Sequence, residues 1–328
     1  MIDKIRVFEA FAGYGSQSIA LRNIGVPHEV VAISEIDKYA IIAYEAIHGP
    51  TNNLGDISKI KIEDIPKHDL FTYSFPCQDI SVAGRQRGME KGKTRSGLLY
   101  ECEKIIEHCR PKYLLMENVK NLVGKKFKAQ FDEWLAYLET LGYTNYWEIL
   151  DSKNYGVPQH RERVFCVSIL GEHKPYTFPK KIKLDKCMVD ILESEIEEKY
   201  YVNKPFKLVD RDRVRTKFAN NILVDAYLTD IKFKQTSQVL NDKGICVTLD
   251  TMQGGYRQPK ILCDGVNSYR VRKITPREAF RLMGMRDSDI DRIQETGLSN
   301  SQQYKMAGNS IVVDVLEGIF KELFQTND

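Results

Sequence analysis

The chain has 328 residues, of which 42% are hydrophobic and 28% are charged, and its formal net charge is +3. This composition is ordinary for a globular protein and excludes a disordered or fibrous chain. No apolar stretch approaches the roughly 20 residues that a membrane helix needs, and the N-terminus lacks a signal-peptide pattern. We therefore expect a cytoplasmic protein that acts away from membranes.

The number and spacing of the cysteines argue against disulfide bonds and metal sites. The seven cysteines include no Cys-x-x-Cys pair and are spread along the chain. A disulfide framework or a zinc site would need paired or clustered cysteines, so neither is expected and no metal is predicted. Any reactive cysteine must therefore be identified by its surroundings.

The first half of the chain alternates strand-like and helix-like segments. Strands are predicted at residues 5–11, 29–34, 70–74, 113–116, 144–150 and 164–169. With helical spacing between most of them, this order predicts an α/β, Rossmann-like fold, in which helices cover both faces of a mostly parallel sheet. Between residues 172 and 268, short strand-like runs and turn residues predict a smaller, irregular β-rich domain. Helical spacing returns at 276–283 and 311–324.

A glycine turn separates the first predicted strand from the first helix. Residues 11–16 let the backbone turn sharply and approach a ligand at the helix N-terminus. Glu35 ends the next strand, where a carboxylate can accept hydrogen bonds from ribose hydroxyls, and Asp56 is expected at the same edge. The pattern predicts a nucleoside cofactor. A simple tight turn with surface acids is the alternative, since the third glycine of the dinucleotide fingerprint is missing.

Cys77 follows the third predicted strand. It comes directly after Phe75 and Pro76, past the carboxyl end of that strand, where α/β folds place their active sites. This position favours a nucleophile, and a buried, inert cysteine is the alternative. The alternative fits Cys102, Cys109 and Cys166, which lie within apolar helix or strand patterns.

Glu117 and a pair of arginines also lie at the ends of predicted strands. Glu117 ends an apolar strand, and a carboxyl group there could donate a proton if burial raised its pKa. Arg161 and Arg163 lead into the last strand of the first half, and their equal parity projects them to one side of an extended segment. One of them could clamp a phosphate or a carbonyl oxygen. A surface salt-bridge cluster is the alternative.

In this order the motifs resemble those of the DNA (cytosine-5) methyltransferases. The resemblance rests on residues 11–15, Phe75-Pro76-Cys77-Gln78, and residues 117–119, 159–163, 274–278 and 308–310. It implies an enzyme that transfers a methyl group from S-adenosyl-L-methionine to carbon 5 of cytosine in double-stranded DNA, with S-adenosyl-L-homocysteine as product. It also implies a restriction-modification context, with a cognate restriction endonuclease as a candidate partner.

The resemblance assigns domains and residue roles. Residues 1–171 and 269–328 would form the catalytic domain, and 172–268 the target-recognition domain of a protein that acts as a monomer. The implied catalytic residues are Cys77, which adds to carbon 6 of the flipped-out base, Glu117 at ring nitrogen 3, Arg163 at the carbonyl oxygen, and Arg161 supporting that site or a phosphate. The implied cofactor residues are Phe11, Gly13, Gly15, Glu35, Ile36, Asp56, Ile57, Pro76, Leu98 and Asn309. The implied DNA-binding residues are Gln78, Ser81, Arg85, Arg87, Thr248, Tyr256, Arg257 and Gln258.

Three competing interpretations stay open at this point. A tRNA cytosine-5 methyltransferase would share the chemistry, but such proteins typically have Pro-Pro-Cys where this chain has Phe75-Pro76-Cys77. A nicotinamide-dependent oxidoreductase would use the glycine turn and Glu35 but leave Cys77 and Glu117 without a role. A non-catalytic DNA-binding descendant is disfavoured by the intact cysteine and glutamate.

Overall fold

The computed structural model describes residues 4–76, 80, 95–209, 222–265 and 268–325. The chain divides into two compact units, each with its own sheet. The first unit comprises residues 1–150, 162–180 and 315–328, and the second comprises 151–161 and 181–314. No helix within the described ranges is long and apolar enough to cross a membrane.

The strands and helices are named here in chain order for the described residues. The strands are β1 (Ile5–Ala10), β2 (His28–Ser34), β3 (Leu70–Tyr73), β4 (Tyr113–Val119), β5 (Tyr143–Asp151), β6 (Glu162–Leu170), β7 (Phe206–Leu208), β8 (Val224–Leu228), β9 (Gln238–Leu240), β10 (Lys260–Asp264) and β11 (Tyr269–Lys273). The helices are α1 (Ser16–Asn23), α2 (Lys38–His48), α3 (Leu99–Cys109), α4 (Lys128–Thr140), α5 (Lys234–Ser237), α6 (Pro276–Arg281), α7 (Asp287–Glu295), α8 (Asn300–Asn309) and α9 (Val313–Phe324).

The sheet of the first unit has the order β2-β1-β3-β4-β6-β5 among the described strands. Its strands β2, β1, β3 and β4 are parallel, whereas β6 runs antiparallel to β4. The predicted α/β fold with a mostly parallel sheet is confirmed. The register pairs Ala10 with both Ser34 and Tyr73, and Tyr73 with Met116. The carboxyl ends of β2, β1 and β3 therefore lie in one row with Met116, beyond which β4 continues for three residues to Val119.

The central strands of this sheet are mostly apolar because both faces of the sheet are covered. Every residue of β3 is buried, and in β1 only Arg6 is not buried. Side chains of successive strand residues point to opposite faces, so a strand covered on both sides buries both sets. Phe8 and Phe71 lie fully buried with their ring centroids 5.2 Å apart.

Glu9 is the polar exception in β1. Its carboxyl group is completely buried and accepts hydrogen bonds from the Ser18 hydroxyl at 2.7 Å and the Tyr44 hydroxyl at 2.8 Å. Burial raises the pKa of Glu9, because the low-dielectric interior disfavours the charged form. These three side chains connect β1, α1 and α2 directly behind the glycine turn.

That turn requires glycine at its last position. Gly15 has φ +81 and is the N-cap residue of α1. A Cβ atom there would lie 2.4 Å from Nε2 of His48 and 2.7 Å from a ring carbon of Tyr44. Tyr44 is fully buried and bonded to Glu9, so it has no room to move aside.

The second unit holds the smaller sheet, with the order β11-β10-β9-β8-β7 in its described strands. Neighbouring strands are antiparallel except β9 and β10, which pair in parallel through Leu240 and Ile261. The predicted β-rich character of this part of the chain is confirmed. The unit also includes α6, α7 and α8, so residues 269–314 group with the β-rich segment by compactness. The predicted functional boundary at residue 268 stays a prediction.

Three described helices of this unit are absent from the sequence-based expectation, namely the four-residue helix α5 and the helices α7 and α8. Only Asp289, Ile290 and Ile293 of α7 are buried, and α8 has a sequence dominated by polar residues. The two buried isoleucines of α7 lie three positions apart, a helical spacing that the sequence-based expectation missed, whereas α8 has no comparable apolar stripe.

A buried ion pair joins β11 to α6. The two terminal guanidinium nitrogens of Arg272, Nη1 and Nη2, each donate to the Glu278 carboxylate at 2.8 Å. Both side chains are almost completely buried. Glu278 also accepts a hydrogen bond from the Thr275 backbone amide, which forms a capping box at the N-terminus of α6. The bidentate geometry and the extra donor satisfy a carboxylate that would otherwise be costly to bury.

Gly15→Ala is expected to lower the free energy of unfolding by roughly 2–5 kcal/mol, from the left-handed backbone cost plus overpacking against Tyr44. The matched control is Gly25→Ala, because Gly25 has φ +73 and a Cβ atom added to it would meet no other atom within 4 Å. That change should cost only about 1–2 kcal/mol. Urea unfolding of both variants measures the difference, and equal losses would contradict the packing argument.

Candidate functional site

The row of strand ends collects residues that the sequence singled out. Phe11 comes directly after β1, Glu35 directly after β2, and Glu117 one position beyond the row in β4. Phe75 follows β3 by two positions. Because β2, β1, β3 and β4 are neighbours in that order, the predicted cofactor residues Phe11 and Glu35 lie at the same edge of the sheet as the predicted catalytic residue Glu117.

Glu35 organises the backbone at the β1 and β2 ends. One carboxylate oxygen accepts the Gly13 amide at 2.9 Å, and the other accepts the amides of Ile36 and Asp37, both at 2.8 Å. A carboxylate has roughly four acceptor positions, so about one remains for a ligand. Glu35 therefore fixes the glycine turn while still presenting an acceptor.

The loop that carries Asp56 is attached to the end of β2. The Asn53 side chain accepts the backbone amides of Glu35 and Gly55 and donates to the Glu35 carbonyl. Asp56 accepts the Ser58 amide at 3.1 Å and the Ser58 hydroxyl at 2.8 Å, and these bonds lower its pKa. Asn53 belongs to none of the sequence motifs, although its side chain holds the loop between β2 and Asp56 at this edge.

The apolar residues predicted for the cofactor differ in exposure. Ile36 is 73% exposed beside Glu35, whereas Ile57 is buried against the core. Leu98 is partly buried and packs against the same core. An isoleucine this exposed, next to an ordered carboxylate, offers an apolar surface to a ligand.

Two asparagines hold the chain on both sides of the predicted nucleophile. The Asn118 side chain donates to the Phe75 carbonyl at 3.0 Å, and the Asn121 side chain donates to the Ile80 carbonyl at 2.5 Å. Asn118 is buried, and its own oxygen accepts the Val119 amide. Cys77 itself lies outside the described residues. Neither asparagine was among the predicted site residues, although Asn118 belongs to the motif at 117–119.

Glu117 and Arg163 form the charged part of the site. The antiparallel register places Arg163 opposite Val119, and Nε of Arg163 lies 3.2 Å from the Glu117 carboxylate. Both side chains are largely buried, and Arg163 also donates to the Glu162 carbonyl at 2.8 Å. The reversed direction of β6 is what brings an arginine from the start of that strand to the end of β4.

Arg161 has partners that the sequence did not suggest. Its buried guanidinium donates to the carbonyl oxygens of Leu249, Gly308 and Ser310 at 2.8–2.9 Å, all within the second unit. Its backbone amide donates to the Asp151 carboxylate. These bonds tie Arg161 to three carbonyl groups, and its expected support for Arg163 or for a phosphate stays a prediction.

The four described DNA-binding candidates lie in the second unit and differ in whether their side chains have hydrogen-bond partners there or are exposed. The Thr248 hydroxyl donates to the His160 carbonyl, and the Gln258 amide nitrogen donates to the Met252 carbonyl, so both side chains have internal partners. Tyr256 and Arg257 are exposed. The side chains of Thr248 and Gln258 therefore stabilise the local backbone, whereas those of Tyr256 and Arg257 are open to solvent.

Several predicted residues stand apart from this geometry. Asn309 is the exposed last residue of α8 in the second unit, and Pro76 is partly buried. Their roles stay predictions. Five predicted residues lie outside the described ranges, namely Cys77, Gln78, Ser81, Arg85 and Arg87.

The described cysteines include several unsuited to nucleophilic catalysis. Cys102, Cys166 and Cys246 are buried, and burial raises the pKa of each thiol, that of Cys166 to about 12. The reactive form of cysteine is the thiolate, so these three stay protonated and inert near neutral pH. This outcome agrees with the expectation of inert thiols at 102 and 166.

The chain is similar to known proteins along almost all of its length. Residues 5–325 match the family model described as C-5 cytosine-specific DNA methylase. The type II methyltransferase M2.ScrFI of Lactococcus lactis subsp. cremoris is 40% identical, over 98% of this chain and 99% of that protein. The orphan methyltransferase M.SPBetaI of Bacillus phage SPbeta is 31% identical, over 99% of this chain and 98% of its own length.

Solved structures share the fold at lower identity. The S. pombe Dnmt2 methyltransferase superposes with a TM-score of 0.72 at 20% identity, over 98% of this chain and 99% of that one. The Entamoeba histolytica methyltransferase EhMeth gives 0.77 at 17% identity and covers both chains completely. The family match leaves no place for a nicotinamide-dependent oxidoreductase. The motifs, the site and these similarities agree that the chain belongs to the C-5 cytosine-specific DNA methylase family and is a DNA (cytosine-5) methyltransferase.

Proposed function

We propose that the protein transfers the methyl group of S-adenosylmethionine to carbon 5 of a flipped-out cytosine in a short DNA sequence, through a covalent adduct with Cys77. One observation carries the proposal: the glycine turn and Glu35 lie at the same edge of the sheet as Phe75 and Glu117. A cofactor held by β1 and β2 would face a base held by β3 and β4.

The residues at β1 and β2 fit an adenosine-containing cofactor. Gly13 has φ +58 and no atom within 4 Å of a Cβ position, so its backbone is open to close approach. Glu35 retains an acceptor position for a ribose hydroxyl, and exposed Ile36 offers an apolar surface to the adenine ring. When bound, S-adenosylmethionine supplies an activated methyl group.

The other cofactor contacts rest on the family resemblance. Asp56 would accept a hydrogen bond from the adenine amine with the carboxylate oxygen that does not cap the turn. The remaining contacts are assigned to Phe11, Gly15, Ile57, Pro76, Leu98 and Asn309.

The chain supplies the groups that activate the base. The Cys77 thiolate adds to carbon 6, forming a carbon–sulfur bond and moving an electron pair of the ring towards carbon 5. Glu117 holds ring nitrogen 3 and the exocyclic amine and donates a proton as the thiolate adds. Arg163 holds the carbonyl oxygen, and its contact with Glu117 keeps both side chains oriented. Carbon 5 would then take the methyl group, with S-adenosylhomocysteine as the leaving group. Loss of the carbon 5 proton to water, elimination of the thiolate and return of the nitrogen 3 proton to Glu117 would restore the aromatic ring.

Access to the base requires that it leave the duplex. A thiol cannot reach the target carbon while the base is stacked inside the duplex. Extruding the base costs a few kcal/mol. The segment at 79–95 contains Arg85, Arg87, Lys91, Lys93 and Arg95. We assign these cations to phosphate contacts, which make binding fall steeply with salt concentration because condensed counterions are released.

The biological setting follows the relatives. A relative named as a type II methyltransferase supports a role in, or descent from, a restriction-modification system with a cognate endonuclease. Relatives named as orphan methyltransferases support solitary action as the alternative. We propose a monomer that acts in the cytoplasm, since one subunit is enough to flip one base.

Bisulfite sequencing of DNA from cells that express the chain is expected to show protected cytosines in one short recurring motif. Cys77→Ser should abolish protection while S-adenosylmethionine binding persists, because only the thiolate is lost. Cys109→Ser is the matched control and should keep full protection. If the wild-type chain binds S-adenosylmethionine but protects no DNA cytosine, the DNA proposal fails, and protection in tRNA would support the RNA alternative.

Glu35→Ala is expected to weaken S-adenosylmethionine binding by about tenfold to a hundredfold, because a charged hydrogen bond is lost and the Gly13 amide is released. Calorimetric titration measures the Kd. Glu29→Ala is the control, since Glu29 lies in the same strand and pairs with Lys4 near the surface. An unchanged Kd in Glu35→Ala would remove Glu35 from the cofactor site.

Asn121→Ala is expected to reduce the single-turnover methylation rate by up to about 100-fold, because a small displacement of the nucleophile is enough to cause such a loss. The Kd for S-adenosylmethionine should not change. Asn145→Ala removes a comparable side-chain hydrogen bond, to the Leu135 carbonyl, away from the strand ends and should leave the rate unaltered. Equal rates in the two variants would show that the bond to Ile80 does not position Cys77.

A further inference from the structure

Lys260, the first residue of β10, is buried in an unusual way. It is only 1% exposed, although lysines are almost never fully buried without partners. Its Nζ atom donates to the carbonyl oxygens of Thr236 at 2.8 Å, of Gln258 at 3.0 Å and of Tyr256. An ammonium group has three N–H donors, so the three carbonyls satisfy it completely.

The three carbonyls come from two separate turns. Thr236 belongs to α5, whose N-cap residue is Phe233, and the other two belong to the turn at 254–258. Because one nitrogen atom binds both segments, they are held side by side. Removing the ammonium would leave three carbonyl groups without this donor, and the two turns without the bond that joins them.

The turn at 254–258 depends on such support. Gly254, Gly255 and Tyr256 have consecutive φ values of +70, +57 and +56. The left-handed conformation costs a residue with a side chain about 1–2 kcal/mol, so Tyr256 is strained. Strained residues of this kind persist only where surrounding contacts hold them, and they cluster at functional sites. Lys260 binds the Tyr256 carbonyl itself.

The side chains that the two turns present have a common character. Phe233 is 77% exposed and Tyr256 is 40% exposed, which is unusual for large aromatic residues. Lys232 and Lys234 flank Phe233 and are exposed, and Arg257 follows Tyr256. Nζ of Lys204 lies 4.8 Å from the centre of the Tyr256 ring. Exposed aromatic rings among cations suit nucleic acid, where rings contact bases and cations contact phosphates.

We propose that Lys260 is a positioning residue for target recognition, which joins the turns at 233–237 and 254–258 into one DNA-reading surface with Phe233, Tyr256 and Arg257 as its contacts. The proposal rests on the proposed function, because it supplies the recognition step of a sequence-specific DNA methyltransferase. Phe233 is the contact that no motif suggested. In the sequence, Phe233 is an aromatic residue between two lysines, and Lys260 is a lysine at the start of an apolar strand.

Burial has a further consequence for Lys260. Desolvation, with a smaller effect from Lys273 on the paired strand, lowers the pKa of Lys260 to about 8. The interior therefore opposes the charge, and the three carbonyls are what holds it there. The three carbonyl contacts therefore offset the desolvation of the charged ammonium group.

The first experiment replaces Lys260 with methionine, which has a similar length and no donors. Lys260→Met should speed amide hydrogen exchange at residues 254–258 and 234–237 at least tenfold and leave the Kd for S-adenosylmethionine within twofold. The ratio of methylation at the target to methylation at sites with one changed base should fall about tenfold. Lys243→Met removes an exposed lysine of the same unit and should change none of these quantities.

The second experiment does not depend on the stability of the interior. Phe233→Ala should weaken binding of a target duplex about tenfold, as expected for loss of a ring that contacts a base. Val189→Ala is the control, because Val189 is another exposed apolar side chain of the same unit. In Lys260→Met the further effect of Phe233→Ala should shrink, since the ring is then no longer held in place.

Each outcome distinguishes one claim from another. Unchanged exchange at both turns in Lys260→Met overturns the positioning role, whether or not the wild-type chain methylates DNA. Equal duplex binding by Phe233→Ala and Val189→Ala overturns the claim that Phe233 contacts DNA. If Phe233→Ala instead loses binding to a protein partner, the surface serves protein binding. Absence of DNA methylation by the wild-type chain, with normal exchange differences, overturns the proposed function and leaves the positioning of the turns supported.

Discussion

The first unit depends on the alignment of four parallel strand ends. Ser34, Ala10, Tyr73 and Met116 lie in one row because parallel strands with helices between them share direction and register. Whatever follows each strand then emerges at the same edge of the sheet. Residues that are far apart in the chain become neighbours through the backbone hydrogen bonds of the sheet.

Polar side chains then fix the irregular backbone that follows the row. The segments after the strands have amide and carbonyl groups without sheet partners, and buried groups of this kind must be satisfied. Glu35 takes three amides, Asn53 joins its loop to β2, and Asn118 binds the Phe75 carbonyl. These side chains hold the loops in definite places, and a site made of loop residues needs that order.

In the second unit, long cationic side chains take over this role. Arg161 gathers three carbonyls, Lys260 gathers three more, and Arg272 forms a bidentate pair with Glu278. The short strands of the smaller sheet leave many turn carbonyls to satisfy, and one buried cation can join several segments at once. Removing such a cation would leave several acceptors unpaired together, so these residues have structural effects far beyond their own contacts.

The sequence alone determined the α/β class, the strands of the first unit, the glycine turn and the ordered motifs around Glu35, Cys77, Glu117 and Arg163. These features are local: side-chain periodicity and the conformational demands of glycine act within a few residues. The tertiary structure alone decided that β6 runs antiparallel to β4 and brings Arg163 to Glu117, that Arg161 binds carbonyls, that the polar α8 is a helix, and that Lys260 joins two turns. The reason is physical, because a long side chain finds its partners only when distant segments meet, and nothing in local spacing records which carbonyl or carboxylate will be there.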